Sequence, residues 1–323
     1  MNKEHDEQFE VAYGMSDSII NEIEKVVLGK HNAVSMLVTA MFAGGHVLIE
    51  DVPGVGKTTL AASLAKAAGL NFKRAQFTPD VMASDITGFN IYNRQTESFD
   101  FKEGLVMCNI LLADEINRAS PKTQSSLLEA MEESRVTVDG VTYEVPNPFM
   151  VIATQNPTGF VGTYPLPEAQ LDRFSARITM GYPSIDEEVD IISARKTVNP
   201  ADKIVSVSSL EYITAIRKLT QLVNVSDELY KYIVLLTSVT RRNENLALGA
   251  SPRASLALMR MSQAYAFTHH RNYVVPEDIC SVYKQVIAHR IILKQEAKLN
   301  RITADNVLSE IMRKTEIPFK SKR

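Results

Sequence analysis

The stretch Glu50-Asp51-Val52-Pro53-Gly54-Val55-Gly56-Lys57-Thr58-Thr59 limits what this chain can become more than any other. The apolar run Val47-Leu48-Ile49 precedes it, and Leu60 to Lys66 follows with the residue types and spacing of an amphipathic helix. Strand, glycine-rich turn and helix N-terminus, in that order, make a phosphate cradle. Gly54 and Gly56 let the backbone bend until successive N–H groups point inward, where the helix dipole adds positive potential. Lys57 is placed to reach the outer phosphates of a nucleotide, and the Thr58 hydroxyl to ligate Mg2+. Asp51 stands where the pattern G-x-x-x-x-G-K-[ST] has its first glycine. It is expected to shape the loop entrance rather than touch phosphate.

A strand that feeds such a loop belongs to a parallel sheet, and the chain supplies the rest of one. Residues from about 16 to 42 read as helical, and Gly44-Gly45 leads into the first strand. Phe72 to Phe77 reads as a second strand. Asn109 to Ala113 reads as a third, apolar throughout as burial on both faces requires. Phe149 to Ala153 and Ala176 to Met180 complete a five-stranded set. Between them, Phe89–Tyr92 with Ser98–Phe101 and Val136–Tyr143 around Asp139-Gly140 read as hairpins. A helix is expected from Pro121 to Glu133.

This alternation predicts a three-layer α/β domain. Beyond about Pro183 only helical patterns follow, one opened by Ser208-x-x-Glu211 and another by Ser226, with starts also at Pro252, Pro276 and Thr303. The expected division is an α/β nucleotide domain over 1–185 with inserts near 88–102 and 135–146, a linker over 186–205, and an all-α domain over 206–323.

A net charge of −3, with no basic stripe studded with aromatics, argues against a chain built to grip nucleic acid. The N-terminus has no basic region followed by an apolar core, and no run of about 18 apolar residues exists, so a cytoplasmic protein without direct membrane insertion is expected. Cys108 and Cys280 are far apart and lack metal-ligand spacing.

Asp114-Glu115 ends the third strand, at the sheet edge where the phosphate loop also emerges. Asp114 is placed to hold Mg2+ through water, and Glu115 to orient or deprotonate a water attacking the γ-phosphate. Asn156, just past the fourth strand, could hydrogen-bond both that phosphate and that water. On spacing alone, a turn asparagine before Pro157 explains it equally well. Arg173 and Arg253 each sit near a helix end, where a guanidinium can clamp phosphate. Ordinary surface ion pairs explain them as well, and Arg177 is a chemical rival to Arg173.

Taken together, the chain resembles the MoxR family of AAA+ ATPases. The matching segments are Glu50–Thr58, Leu111–Ala119, Leu127–Glu133, Ala153–Pro157, Gly162–Phe174 and Gly249–Ala254, in family order across nearly the whole length. The resemblance implies that Asn156 is a first sensor and Arg173 a finger entering a neighbouring subunit's site. Arg253 is then a second sensor on a helical lid, contacting nucleotide and reporting its state. Val27-Leu28-Gly29 falls where the adenine pocket lies. The two hairpins match inserts shared with magnesium-chelatase ATPase subunits, facing a pore or partner.

The implied protein is a hexameric, chaperone-like ring that binds and hydrolyses ATP with Mg2+. It would work with a von Willebrand factor A domain protein to mature or insert metal cofactors in clients. A nucleotide-sensing scaffold with little turnover and a DNA-acting motor are the competing readings.

Overall fold

The computed structural model describes residues 3–156, 163–194 and 203–317. Pro157 and Gly162 of the motif segments, residues 195–202 of the expected linker and the basic tail from Lys320 to Arg323 lie outside the described residues. Numbering only the strands of the main sheet, β1 is Val47–Glu50, β2 Phe72–Gln76, β3 Ile110–Asp114, β4 Met150–Gln155 and β5 Ala176–Ile178. They form one parallel sheet in the order β2-β3-β4-β1-β5.

Side-chain alternation along these strands builds two cores. Val47, Ile49, Ile110, Leu112 and Ile152 face the phosphate-loop helix Lys57–Ala67 and the N-terminal helices. Leu48, Leu111, Ala113, Val151 and Ala153 face the helix Pro121–Glu133 and its neighbours. That helix starts as expected, with Pro121 in its first turn and the Ser120 hydroxyl accepting from Thr123 N–H.

Both hairpins form. Gly88–Asn93 pairs antiparallel with Ser98–Glu103, and Arg135–Val138 with Val141–Glu144 around Asp139 and Gly140, both at positive φ. They are fastened to each other: Phe101 stacks on Tyr143 at a centroid distance of 3.8 Å, and Asn90 donates to the Asp139 carboxylate at 2.8 Å. Phe89, Ile91, Tyr92 and Phe99 of the first hairpin stay exposed.

Several expectations need correction. The N-terminal helical region is two helices, Lys3–Glu24 and His31–Phe42. Their aromatic side chains pack on the C-terminal domain: Phe9, Tyr13 and Phe42 all surround Phe267, with ring centroids 5.1 to 6.0 Å away. One continuous apolar core therefore crosses the expected domain boundary. The first residues of the expected linker, 186–194, belong to the helix Ile185–Ala194.

The C-terminal domain contains the helices Leu210–Gln221, Asp227–Thr240, Pro252–Thr268, Pro276–Ile287 and Ala304–Lys314. Its first cap is Ser209, which accepts from Tyr212 N–H, and not Ser208. A small antiparallel pair, Leu246–Leu248 with Ile292–Leu293, was not legible because two or three residues carry no periodic signal. No helix among the described residues is long and apolar enough to cross a membrane.

His46 joins the layers from within. Its Nε2 donates to the Met131 carbonyl at 3.0 Å, and its Nδ1 accepts from Val151 N–H at 2.9 Å. Burial is the main cause pushing its pKa down to about 4; the Met131 hydrogen bond opposes the shift and Arg217 adds to it. The folded state thus refuses a proton that the unfolded chain accepts near pH 6.5. Its contribution is whole above that pH and is lost as pH falls toward about 4. The loss from His46 is about 3 kcal/mol, at roughly 1.4 kcal/mol per pKa unit. Urea titrations at pH 7 and pH 4.5 are expected to show this loss, with a flatter pH dependence and lower stability at pH 7 in His46→Gln.

Candidate active site

Parallel register brings the chemistry to one edge. Glu50 on β1 pairs with Gln155 on β4, and Gln76 on β2 with Asp114 on β3. The residues that follow these strands, Asp51, Glu115 and Asn156, therefore leave the sheet side by side. Glu115 and Asn156 border a cleft of about 400 Å³ whose lining also includes Pro53, Gly54, Gly56, Lys57, Thr58, Thr59, Arg74, Gln76 and Asp114.

The phosphate loop has the predicted shape. Gly54 and Gly56 sit at φ +87° and +96°, backbone that other residues rarely adopt. No atom lies within 4 Å of where a Gly54 Cβ would stand. Lys57 opens the helix, and its Nζ donates to the Asp51 carbonyl at 2.6 Å. Burial lowers the Lys57 pKa from its ordinary value, opposed by the carboxylates of Asp51, Asp114 and Glu115. Asp51 does shape the loop entrance: its carboxylate accepts from Val52 N–H at 2.9 Å and from Met180 and Gly181 N–H at 2.6 Å each. The loop is thereby tied to the segment leaving β5.

Asp114 and Glu115 are held by a shared partner. Thr154 Oγ1 donates to Asp114 Oδ1 at 2.6 Å and accepts from Glu115 N–H at 2.9 Å. Arg74 holds the other Asp114 oxygen at 2.8 Å. Glu115 adopts φ +55°, ψ +50°, a left-handed conformation that costs a non-glycine residue roughly 1–3 kcal/mol. Its carboxylate is fixed between Gln76 and Arg118, at 2.8 and 2.9 Å. Asn156 lines the same cleft.

This donor set fits a nucleotide with a divalent cation. The open glycine loop suits phosphate oxygens, and Thr58 with Asp114 offers hard oxygen ligands. Among the described residues no three His, Cys, Asp or Glu side chains cluster as a metal cage.

A second cavity of about 320 Å³ shares Pro53, Gly54, Gly56 and Thr59 with the cleft and is otherwise largely apolar. Val27 and Leu28 line it, together with Tyr182, Pro183, Ile191 and Ile192. Gly29 does not. It sits at φ +69° with the Glu187 carboxylate where a Cβ would be, so its role is close backbone approach.

Arg173 and Arg253, in contrast, line neither cavity. Both lie at the last turn of the helix Pro121–Glu133, where Arg173 Nη2 is 3.0 Å from Glu132 and Arg253 bonds the other oxygen of the same carboxylate. Arg253, expected to contact the cofactor, lies outside the lining of both the cleft and the apolar cavity of its own subunit. Arg177 is paired with Glu50 across β1 and β5 at 2.9 Å, which makes it a brace of the sheet. Sequence reasoning missed Arg74, Gln76, Thr154 and Glu132. The alternation of Arg74 and Gln76 on β2 was the one available signal, since period 2 puts both on the face toward Asp114.

Comparison with known proteins agrees with this geometry. Residues 46–176 match the model of the ATPase family associated with various cellular activities (AAA), and residues 238–311 match an AAA lid domain. YeaC of Bacillus subtilis, an uncharacterised protein, is 48% identical over 93% of both chains. Chaperone MoxR1 of Mycobacterium tuberculosis is 39% identical over 93% of this chain and 81% of its own length. A crystal structure of an inferred ATPase from Cytophaga hutchinsonii superposes with a TM-score of 0.91 at 39% identity, covering 98% of each chain. A core and a lid joined in this order, with a MoxR relative matched along most of its length, make this chain a member of the MoxR family of AAA+ ATPases.

Proposed function

We propose that this chain hydrolyses ATP with Mg2+ at the seams of a ring, six subunits in the form the family resemblance implies, and spends the cycle on remodelling partner proteins. The observation that carries this reading is the division of catalytic groups. Lys57, Asp114, Glu115 and Asn156 share one cleft, whereas Arg173 and Arg253 stand together elsewhere on the same subunit. Arg74, the other cation in the cleft, is engaged by Asp114. A second subunit bringing Arg173 to the cleft would supply the missing charge.

In this mechanism the loop N–H groups and Lys57 hold the β- and γ-phosphates, while Thr58 and Asp114 would hold the cation. Bound Mg2+ would supply neutralisation of phosphate charge. Glu115 orients the attacking water and accepts its proton, and Asn156 steadies water and γ-phosphate by hydrogen bonds. The fixed Glu115 backbone favours turnover over mere sensing, because a scaffold needs no strained, water-facing carboxylate.

Work on other proteins is supported by the exposed Phe89, Ile91, Tyr92 and Phe99 and by the chaperone name of the MoxR1 relative. A partial relative, the aerobic cobaltochelatase subunit CobS of Sinorhizobium sp., is 25% identical over 59% of this chain, and its name supports metal insertion as the proposed class of work. A von Willebrand factor A domain protein is the proposed adaptor, and the cytoplasm the proposed compartment.

Two outcomes follow. Glu115→Gln is expected to bind ATP and lose at least about 10²-fold in turnover, accumulating the nucleotide-bound assembly. Unchanged steady-state hydrolysis would remove Glu115 from the chemistry. Arg173→Ala is expected to bind nucleotide normally and lose roughly 10³-fold in turnover. Mixing it with Lys57→Ala should restore part of that turnover, since one subunit then supplies the cradle and the other the cation. Co-assembly without any recovery would refute the shared site.

A further inference from the structure

The carboxylate of Glu132 stands between two cations from different parts of the chain. Arg173 follows the short helix Glu168–Leu171 of the α/β domain, and Arg253 lies in the first turn of the helix Pro252–Thr268 of the lid. Arg173 Nη2 reaches Glu132 Oε2 at 3.0 Å, and Arg253 Nη2 donates to Glu132 Oε1. Arg173 Nη1 also donates to the carbonyl of Leu128, one turn earlier on the Glu132 helix, at 2.5 Å.

Neighbouring side chains tie the same two segments together. Ser251, the residue before the lid helix, donates to Asp172 Oδ2 at 2.8 Å. The buried Arg290 lies 2.9 Å from Asp172 Oδ1 and donates to the carbonyls of Asp172 and Phe174. Lid and finger segment are therefore pinned beneath the same spot at which their guanidiniums converge.

We propose that Glu132 is a positioning residue that holds Arg173 and Arg253 as one receptor for the γ-phosphate of a neighbouring subunit. This inference rests on the reading that Arg173 acts across a seam. Two guanidiniums this close repel each other in the absence of a counter-charge, and free side chains would swing apart into water. One carboxylate between them removes the repulsion and leaves the pair with a net charge of +1. The contacts to Glu132 and Leu128 leave Nη hydrogens of both arginines for phosphate oxygens, the buried Arg173 Nε not among them. Glu132 is about one-third exposed and Arg253 more than half, so the receptor opens outward, toward an approaching subunit. The arrangement gives lid position a direct route to the chemistry, because moving Arg253 disturbs the anchor of Arg173.

The test is steady-state ATP hydrolysis by purified full-length variants, with assembly followed by size-exclusion chromatography. Glu132→Gln is expected to assemble, keep its KM for ATP within about twofold and lose about 10- to 100-fold in kcat. Glu132→Asp, which retains the charge, should recover a large part of that loss. An excess of Lys57→Ala subunits should rescue Glu132→Gln, because each intact Glu132→Gln cradle then meets an intact arginine pair. An excess of Arg173→Ala should not.

Wild-type turnover by Glu132→Gln would overturn the inference. So would failure to assemble, which would assign Glu132 to the seam itself. If Lys57→Ala rescues Arg173→Ala and not Glu132→Gln, then Glu132 serves its own cleft and only this inference fails. If it rescues neither, the shared-site reading fails first.

Discussion

Parallel backbone pairing between β1, β3 and β4 is the constraint on which the site depends. With Ile49 opposite Thr154 and Ala113 opposite Ala153, the three strands end nearly level. A slip of one residue along any strand would turn its side chains to the other face. Thr154 would then no longer face Asp114 and Glu115, and the phosphate loop would lose its place beside them. The apolar alternation on both faces forbids that slip, since it would expose Ile49, Leu112 or Ile152 to the wrong layer. Stability and chemistry are thus secured by the same register.

Around this edge the polar groups form a closed set of mutual supports. Asp51 fastens the phosphate loop to the chain leaving β5, Lys57 bonds back to Asp51, and Thr154 links Asp114 to Glu115. Charge-assisted hydrogen bonds of this kind restrict rotamers before any ligand arrives, which is how a site avoids reorganisation cost during reaction. The strained φ of Glu115 fits this picture: its carboxylate is aimed by the backbone and held by Gln76 and Arg118.

The arginines obey a different logic. They belong to the junction between α/β domain and lid, where Asp172, Ser251, Arg290 and Glu132 connect the two. Since the core also runs unbroken from the N-terminal helices into the lid around Phe267, the lid and the sheet share one packed interior.

Much of the site was legible in the chain itself. The order of strand, glycine turn and Lys57-Thr58, the apolar strand ending in Asp114-Glu115, and the Asp139-Gly140 hairpin are local patterns, each set by backbone sterics or side-chain periodicity within about ten residues. Resemblance supplied the roles of Asn156 and Arg173, which spacing left open. Thr154 and Glu132 carried no local mark, and the alternation of Arg74 with Gln76 named a face but no partner, because each owes its role to a residue 40 or more positions away in the chain, or, for Glu132, to two such residues. The packing of the N-terminal helices on the lid around Phe267 was not legible for the same reason, because no local pattern says which surface buries Phe9 and Tyr13. Sequence alone determined the strands of the main sheet, the two hairpins and the phosphate-loop pattern, because each is set by local sterics and periodicity. Only the tertiary structure decided that Arg253 stands with Arg173 on Glu132 instead of over its own cleft, because contacts between distant segments arise from packing that no local pattern encodes.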